Sequence, residues 1–100
     1  MEKFNQFEEL LRKAIWASLV EIFGENTARA VAYYVDPRIA TSNMSLYSET
    51  LRKIFQEGSK VLEEKCAEKL YAGLGLEFQK REGWTLANYI EDARQRFVKT

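Results

Sequence analysis

Histidine is absent from this chain. That removes the commonest general base and the commonest zinc ligand together. Cys66 is the single cysteine, so no intrachain disulfide can close and no zinc site can be built from Cys and His. Neither a Ser-His-Asp nor a Cys-His arrangement can exist within one chain. A reactive thiolate at Cys66 would need exposure and a positive neighbour. Lys65 and Lys69 are near in sequence, but Cys66 falls on an apolar helical face and reads as a small buried hydrophobe. Carboxylates are the remaining chemistry. Glu8-Glu9, Glu63-Glu64 and Glu91-Asp92 are adjacent pairs. Neighbours on a helix point about 100° apart, so they do not converge on one proton or one metal. Di-metal sites in helix bundles use Glu-x-x-His, which this chain cannot supply. The pairs read as a solvated face interleaved with Lys60, Lys65 and Lys69. The run Gly73-Leu74-Gly75-Leu76-Glu77-Phe78 lacks both the Lys-Ser/Thr of a P-loop and the Rossmann glycine spacing. The expectation is a protein with no catalytic residue, no cofactor and no metal.

Charge narrows the partners. Lys plus Arg and Asp plus Glu are 15 each, a net charge of zero. Phosphate contacts supply most nucleic-acid affinity, and an anionic membrane surface also selects basic segments. A balanced chain suits neither, while its weak self-repulsion favours association with itself. The sequence Phe55-Gln56-Glu57-Gly58-Ser59 does resemble a helix–turn–helix corner. A transcription-associated DNA-binding domain is therefore the alternative function. Its recognition helix would open Ser59-Lys60-Val61-Leu62-Glu63-Glu64, placing two acids against phosphates. A third reading is an apolar ligand held between helical hairpins.

Aromatics are the surplus that invites a binding role. Trp16 and Trp84 flank the apolar stripes, and Tyr33 and Tyr34 are adjacent, so at most one can point fully inward. One reading has these rings closing the edges of a small core, with polar tips in water. The other makes Trp16, Tyr33 and Trp84 candidate interface residues for a protein partner or a second copy.

The elements that must position these residues are helical. Leu19, Ile22, Phe23, Glu25 and Thr27 recur as Leu51, Ile54, Phe55, Glu57 and Ser59. Each copy ends a periodic segment with Ile-Phe, turns near a glycine (Gly24, then Gly58) and begins another segment. The spacing predicts helices over 5–23 with Asn5 as cap, 27–35 capped by Asn26 or Thr27, and 46–57. Two more are expected over 59–72, capped by Ser59, and 86–97, capped by Thr85. Residues 36–45 form a connection, because Asp36-Pro37 ends a helix and Thr, Ser and Asn favour a loop. Residues 74–84 form an extended connector whose apolar members cover a helix face, since no second strand exists to pair with it. One hundred residues make one domain. The expected fold is all-α: a compact bundle or orthogonal array of about five helices. Two αα-hairpins, 5–35 and 46–73, are closed by the C-terminal helix. The charged N-terminus has no apolar h-region, and no stretch reaches the ~20 apolar residues of a membrane span. With one cysteine, a reducing, cytoplasmic setting is expected.

Leu19-Val20-Glu21-Ile22-Phe23-Gly24-Glu25, the following Ala-Val-Ala-Tyr-Tyr-Val, and Leu51-Arg52-Lys53-Ile54-Phe55 with Gly58 resemble a small all-helical archaeal family, the Nitrosopumilus output domain. Lys69-Leu70-Tyr71-Ala72-Gly73-Leu74-Gly75-Leu76 and Tyr89-Ile90 with Arg94 extend the resemblance over nearly the whole chain. It implies a domain coupled to a sensory or regulatory partner, with no assigned catalytic residues to carry over. Composition and resemblance together suggest a non-catalytic intracellular protein-interaction or signalling-output module, with a homodimer as one form.

Overall fold

The computed structural model describes residues 2–39 and 43–99, and side chains over 6–39 and 43–97. Among the described residues there are five long helices and no strand: α1 (Glu2–Phe23), α2 (Glu25–Tyr34), α3 (Met44–Phe55), α4 (Gly58–Leu74) and α5 (Leu86–Lys99); Arg38 and Ile39, in the expected 36–45 connection, are helical as well. The all-α expectation holds. No described helix is long and apolar enough to cross a membrane.

Apolar residues at three- and four-residue spacing give α1 one buried stripe: Phe7, Leu11, Ala14, Ile15, Ser18 and Leu19. α4 is the central helix, buried along Ser59, Leu62, Glu63, Cys66, Ala67, Leu70 and Tyr71. It packs most extensively on α1 and also touches α3 and α5. One continuous apolar cluster runs through all five helices. α2 is the exception in its partners, because it packs against α1 alone.

The helix starts differ from expectation in instructive ways. α1 begins upstream of Asn5, which therefore sits inside the first turns rather than at a cap; Glu2 and Lys3 are good helix formers and extend it. α2 begins at Glu25, directly after Gly24, whose carbonyl accepts from Ala28 N–H at 2.9 Å. Gly24 replaces Asn26 and Thr27 as the cap because its φ of 84° makes the corner in one residue. α4 begins at Gly58, so Ser59 is no cap either; its hydroxyl is turned inward and fully buried. The α3–α4 corner is made at Gln56, with φ 52°. Gln56 is thus the counterpart of Gly24, and Gly58 is not. Asn43 caps α3 through Leu46 N–H at 3.1 Å. Thr85 caps α5 as expected, in a reciprocal box with Asn88.

α4 runs through Gly73 and ends at Gly75. There Leu76 N–H returns to Tyr71 O and Gly75 N–H to Ala72 O, a Schellman closure that needs the φ of 73° at Gly75. The connector after it holds Leu76, Phe78 and Trp84 half-buried against the core, as an extended cover. Residues 40–42 of the expected 36–45 connection lie outside the described residues.

The repeated pattern has a physical counterpart. Its two Ile-Phe pairs meet: Phe23 stacks on Phe55 at 5.0 Å between ring centres and 18° between planes. The stack ties the end of α1 to the end of α3.

Candidate functional site

Several of the chemically capable side chains serve the fold. Glu63, buried on α4, accepts from Leu86 N–H at 3.2 Å and so satisfies an open donor at the start of α5. The sequence pattern places it on a solvated face, but the fold packs α5 over it. Glu64 instead turns out to Lys80 at 3.5 Å, and Glu9 to Lys13 at 3.3 Å. Asp92 accepts from the Tyr71 hydroxyl and pairs with Arg96 at 3.2 Å. The adjacent carboxylates diverge as helix geometry requires. Among the described residues no group of three carboxylate or thiol side chains could hold a metal.

Cys66 is 1% exposed. Burial pushes its thiol up to about 12, while the Ser18 hydroxyl beside it acts the other way. At neutral pH it is a protonated core residue, not a nucleophile. Burial and the Asp92 hydrogen bond likewise raise Tyr71 above the ordinary tyrosine range. Glu21 of α1 bridges to Lys65 and Lys69 of α4 at 3.4 and 3.5 Å. The Lys65 hydrogen bond, followed by the charges of both lysines, holds its carboxyl below the ordinary 4.5.

The three candidate interface aromatics sit in three different neighbourhoods. Trp84 is half-buried: its ring lies 5.1 Å from Tyr89, and the Arg81 guanidinium covers it at 4.9 Å. It belongs to a cluster that clamps the connector to α4 and α5, together with Tyr71, Phe78 and Tyr89. Tyr89 holds that connector twice, accepting from Arg81 N–H at 2.8 Å and donating to Arg81 O at 3.1 Å. Trp16 is half-buried against the core from α1. Only Tyr33 is open, at 86% exposure. Tyr34, beside it, is 79% exposed, and the two rings meet edge to face at 5.7 Å. Neither points inward.

The outward face of α2 follows from its helical spacing. Ala28 is buried, and Val31 and Ala32 are half-buried; Ala30 lies on the opposite side. Asn26 and Thr27 flank Ala30 toward one end of the helix, Tyr33 and Tyr34 toward the other, and all five are exposed. Beside this face lie two charges, Glu25 and Arg29, paired with each other across one turn.

Sequence periodicity also missed a second set of apolar residues. Leu46, Ile54 and Val61, apolar residues on helices, are 48%, 47% and 61% exposed, and Ile22 is 36% exposed. The inward face of α3 is Tyr47, Ser48 and Leu51, which rotates Leu46 and Ile54 to its flank. Buried Ser48, Ser59 and Glu63 gave no apolar signal that could have corrected the stripe.

Two concavities are open to solvent rather than enclosed between hairpins. The larger, about 410 Å³, lies beside Trp84 and the start of α5, with Arg52, Lys60 and Lys80 set against Glu63, Glu64 and Glu82. α4, the helix a DNA-binding corner would use for recognition, is packed on three sides, and Ser59, Leu62 and Glu63 near its start are buried. No family model matches the chain, and neither a curated protein nor a solved structure matches it.

Proposed function

We propose that this chain is a non-catalytic protein-interaction module that binds through the outward face of α2. The observation that carries the reading is the exposure of Tyr33 and Tyr34 on a helix that packs against α1 alone. Large rings held in water gain from a partner, and tyrosine is enriched at interface centres. The use of Glu63 for capping and Glu21 for ion pairs, and the burial of the Cys66 thiol, support a non-catalytic role. The balanced charge suits a protein partner better than nucleic acid or a membrane. The resemblance to the Nitrosopumilus output domain supports the same reading, as an output module of archaeal signalling in the cytoplasm.

A photocrosslinking residue tests the surface. p-Benzoylphenylalanine is placed at Tyr33, and separately at Gln95, which is exposed on α5, a helix that makes no contact with α2. Irradiation in cells should give discrete protein adducts from position 33 and none from position 95. Ala30→Arg in the same chain should abolish them. No adduct, or the same adducts from both positions, overturns the reading.

A further inference from the structure

The face of α2 has the layout of a self-complementary surface. Ala30 stands at its centre, Tyr33 and Tyr34 at one end, and Asn26 and Thr27 at the other. A two-fold axis between the two copies' Ala30, with the helices antiparallel, sets each flank of one helix against the same flank of the other with its ends exchanged. Tyr33 and Asn26 are seven apart and share one flank, as do Tyr34 and Thr27, so Tyr33 of one copy lies over Asn26 of the other, and Tyr34 over Thr27. Each bulky ring meets a small polar residue that can bond its hydroxyl, and nothing bulky occupies the crossing point. We infer that the partner of this face is a second copy of the chain, docked antiparallel through α2 about Ala30. The inference rests on the interaction reading above and names its partner.

Two quantities favour this occupant. The first is charge. Glu25 and Arg29 are of opposite sign and already paired, and the chain as a whole is neutral. Two copies therefore meet without like-charge repulsion. The second is area. Buried tyrosines cover roughly 150–250 Å² each, so four of them contribute about 600–1,000 Å². Ala30, Thr27 and Asn26 add to that from both copies. The total reaches the low end of specific interfaces, about 1,200 Å². That fits a reversible dimer at micromolar concentration or weaker, not an obligate one.

Cysteine crosslinking reads the geometry directly, because Cys66 is buried and gives little background. Helices crossing at an alanine bring facing Cα atoms within the roughly 4.4–6.8 Å that a disulfide spans. Ala30→Cys, oxidised with diamide, should form covalent dimers readily. Tyr33→Cys alone should not, whereas a mixture of Tyr33→Cys and Asn26→Cys chains should crosslink to each other. Sedimentation of the unmodified chain should show its mass doubling with concentration, and Ala30→Arg should weaken association at least tenfold while leaving the melting temperature unchanged. A chain that stays monomeric at millimolar concentration overturns the inference. If position 33 still captures a protein in cells in that case, the interaction reading stands with a different partner; if it captures none, both fall. A dimer that survives Ala30→Arg uses another face and also overturns it. Self-crosslinking of Tyr33→Cys without that of Ala30→Cys would rule out the antiparallel arrangement.

Discussion

Tyr89 and Tyr47 differ in what their hydroxyls reach. Tyr89 accepts from and donates to the backbone of Arg81, so its oxygen is a fixed part of the connector. Tyr47 is fully buried on α3, and among the described residues its hydroxyl has no hydrogen-bond partner. Burial raises its proton affinity well above the ordinary tyrosine range, with Cys66 and Asp36 adding to it. Tyr89→Phe leaves the Arg81 N–H without its acceptor and should cost about 1–3 kcal/mol. Tyr47→Phe keeps the ring and removes an unpaired polar atom. It should leave stability unchanged or raise it by about 1 kcal/mol. Denaturant unfolding with matched slopes measures both. Equal losses in the two variants would mean that the Tyr47 hydroxyl has a partner after all.

At the scale of elements, the two corners solve one problem unequally. Gly24 adopts its φ of 84° at no steric cost, whereas Gln56 holds φ 52° with a side chain. With Glu57 following in the helical region, Gln56 occupies the first central position of a type II′ turn, where glycine is preferred. Strain there is roughly 1–3 kcal/mol, less the ~0.5–1 kcal/mol of chain entropy that glycine loses. Gln56→Gly should therefore stabilise by about 1 kcal/mol and raise the melting temperature by about 4–8 °C; a lower melting temperature would refute it. The α1–α4 contact makes a different prediction, in pH. Glu21 has a folded pKa below its unfolded one, so its contribution is complete above about pH 4.5 and disappears as pH falls through the folded value. The stability gap between the native chain and Glu21→Gln should be largest near neutrality, shrink in acid and shrink in high salt. A gap that grows in acid has the wrong sign. These corners and contacts also show what the sequence could reveal. Apolar spacing located all five helices, and Thr85 marked the start of α5. The buried Ser48, Ser59 and Glu63 were illegible, because their burial depends on neighbours brought in by the fold. The same holds for the surface. Tyr33 was visible as surplus, but only packing shows that Trp84 is clamped under Arg81 and that Tyr34 turns outward.

Over the whole molecule, a radius of gyration of 12.7 Å matches the ~13 Å of a well-packed chain of this length. A single apolar cluster joins the helices, so α1, α3, α4 and α5 should unfold as one unit. α2 is tied to that unit through α1 alone. It should open separately, at a lower free-energy cost than the core. Cys66 supplies a probe of the core unit, since its thiol is 1% exposed and is pushed up to about 12. A thiol reagent can reach it only through opening of α4 against its neighbours. Leu62→Ala, beside it in the core, should cost about 2–5 kcal/mol and accelerate labelling by well over tenfold. Ala30→Gly weakens α2 by about 1 kcal/mol, which is roughly fivefold if α2 opened only together with the core. At concentrations where the chain is monomeric, Ala30→Gly should instead leave the labelling rate of Cys66 unchanged, while amide exchange within α2 speeds up. A fivefold rise in Cys66 labelling would place α2 inside the cooperative core. The exposed tyrosines would then be carried by a helix as firmly held as α4.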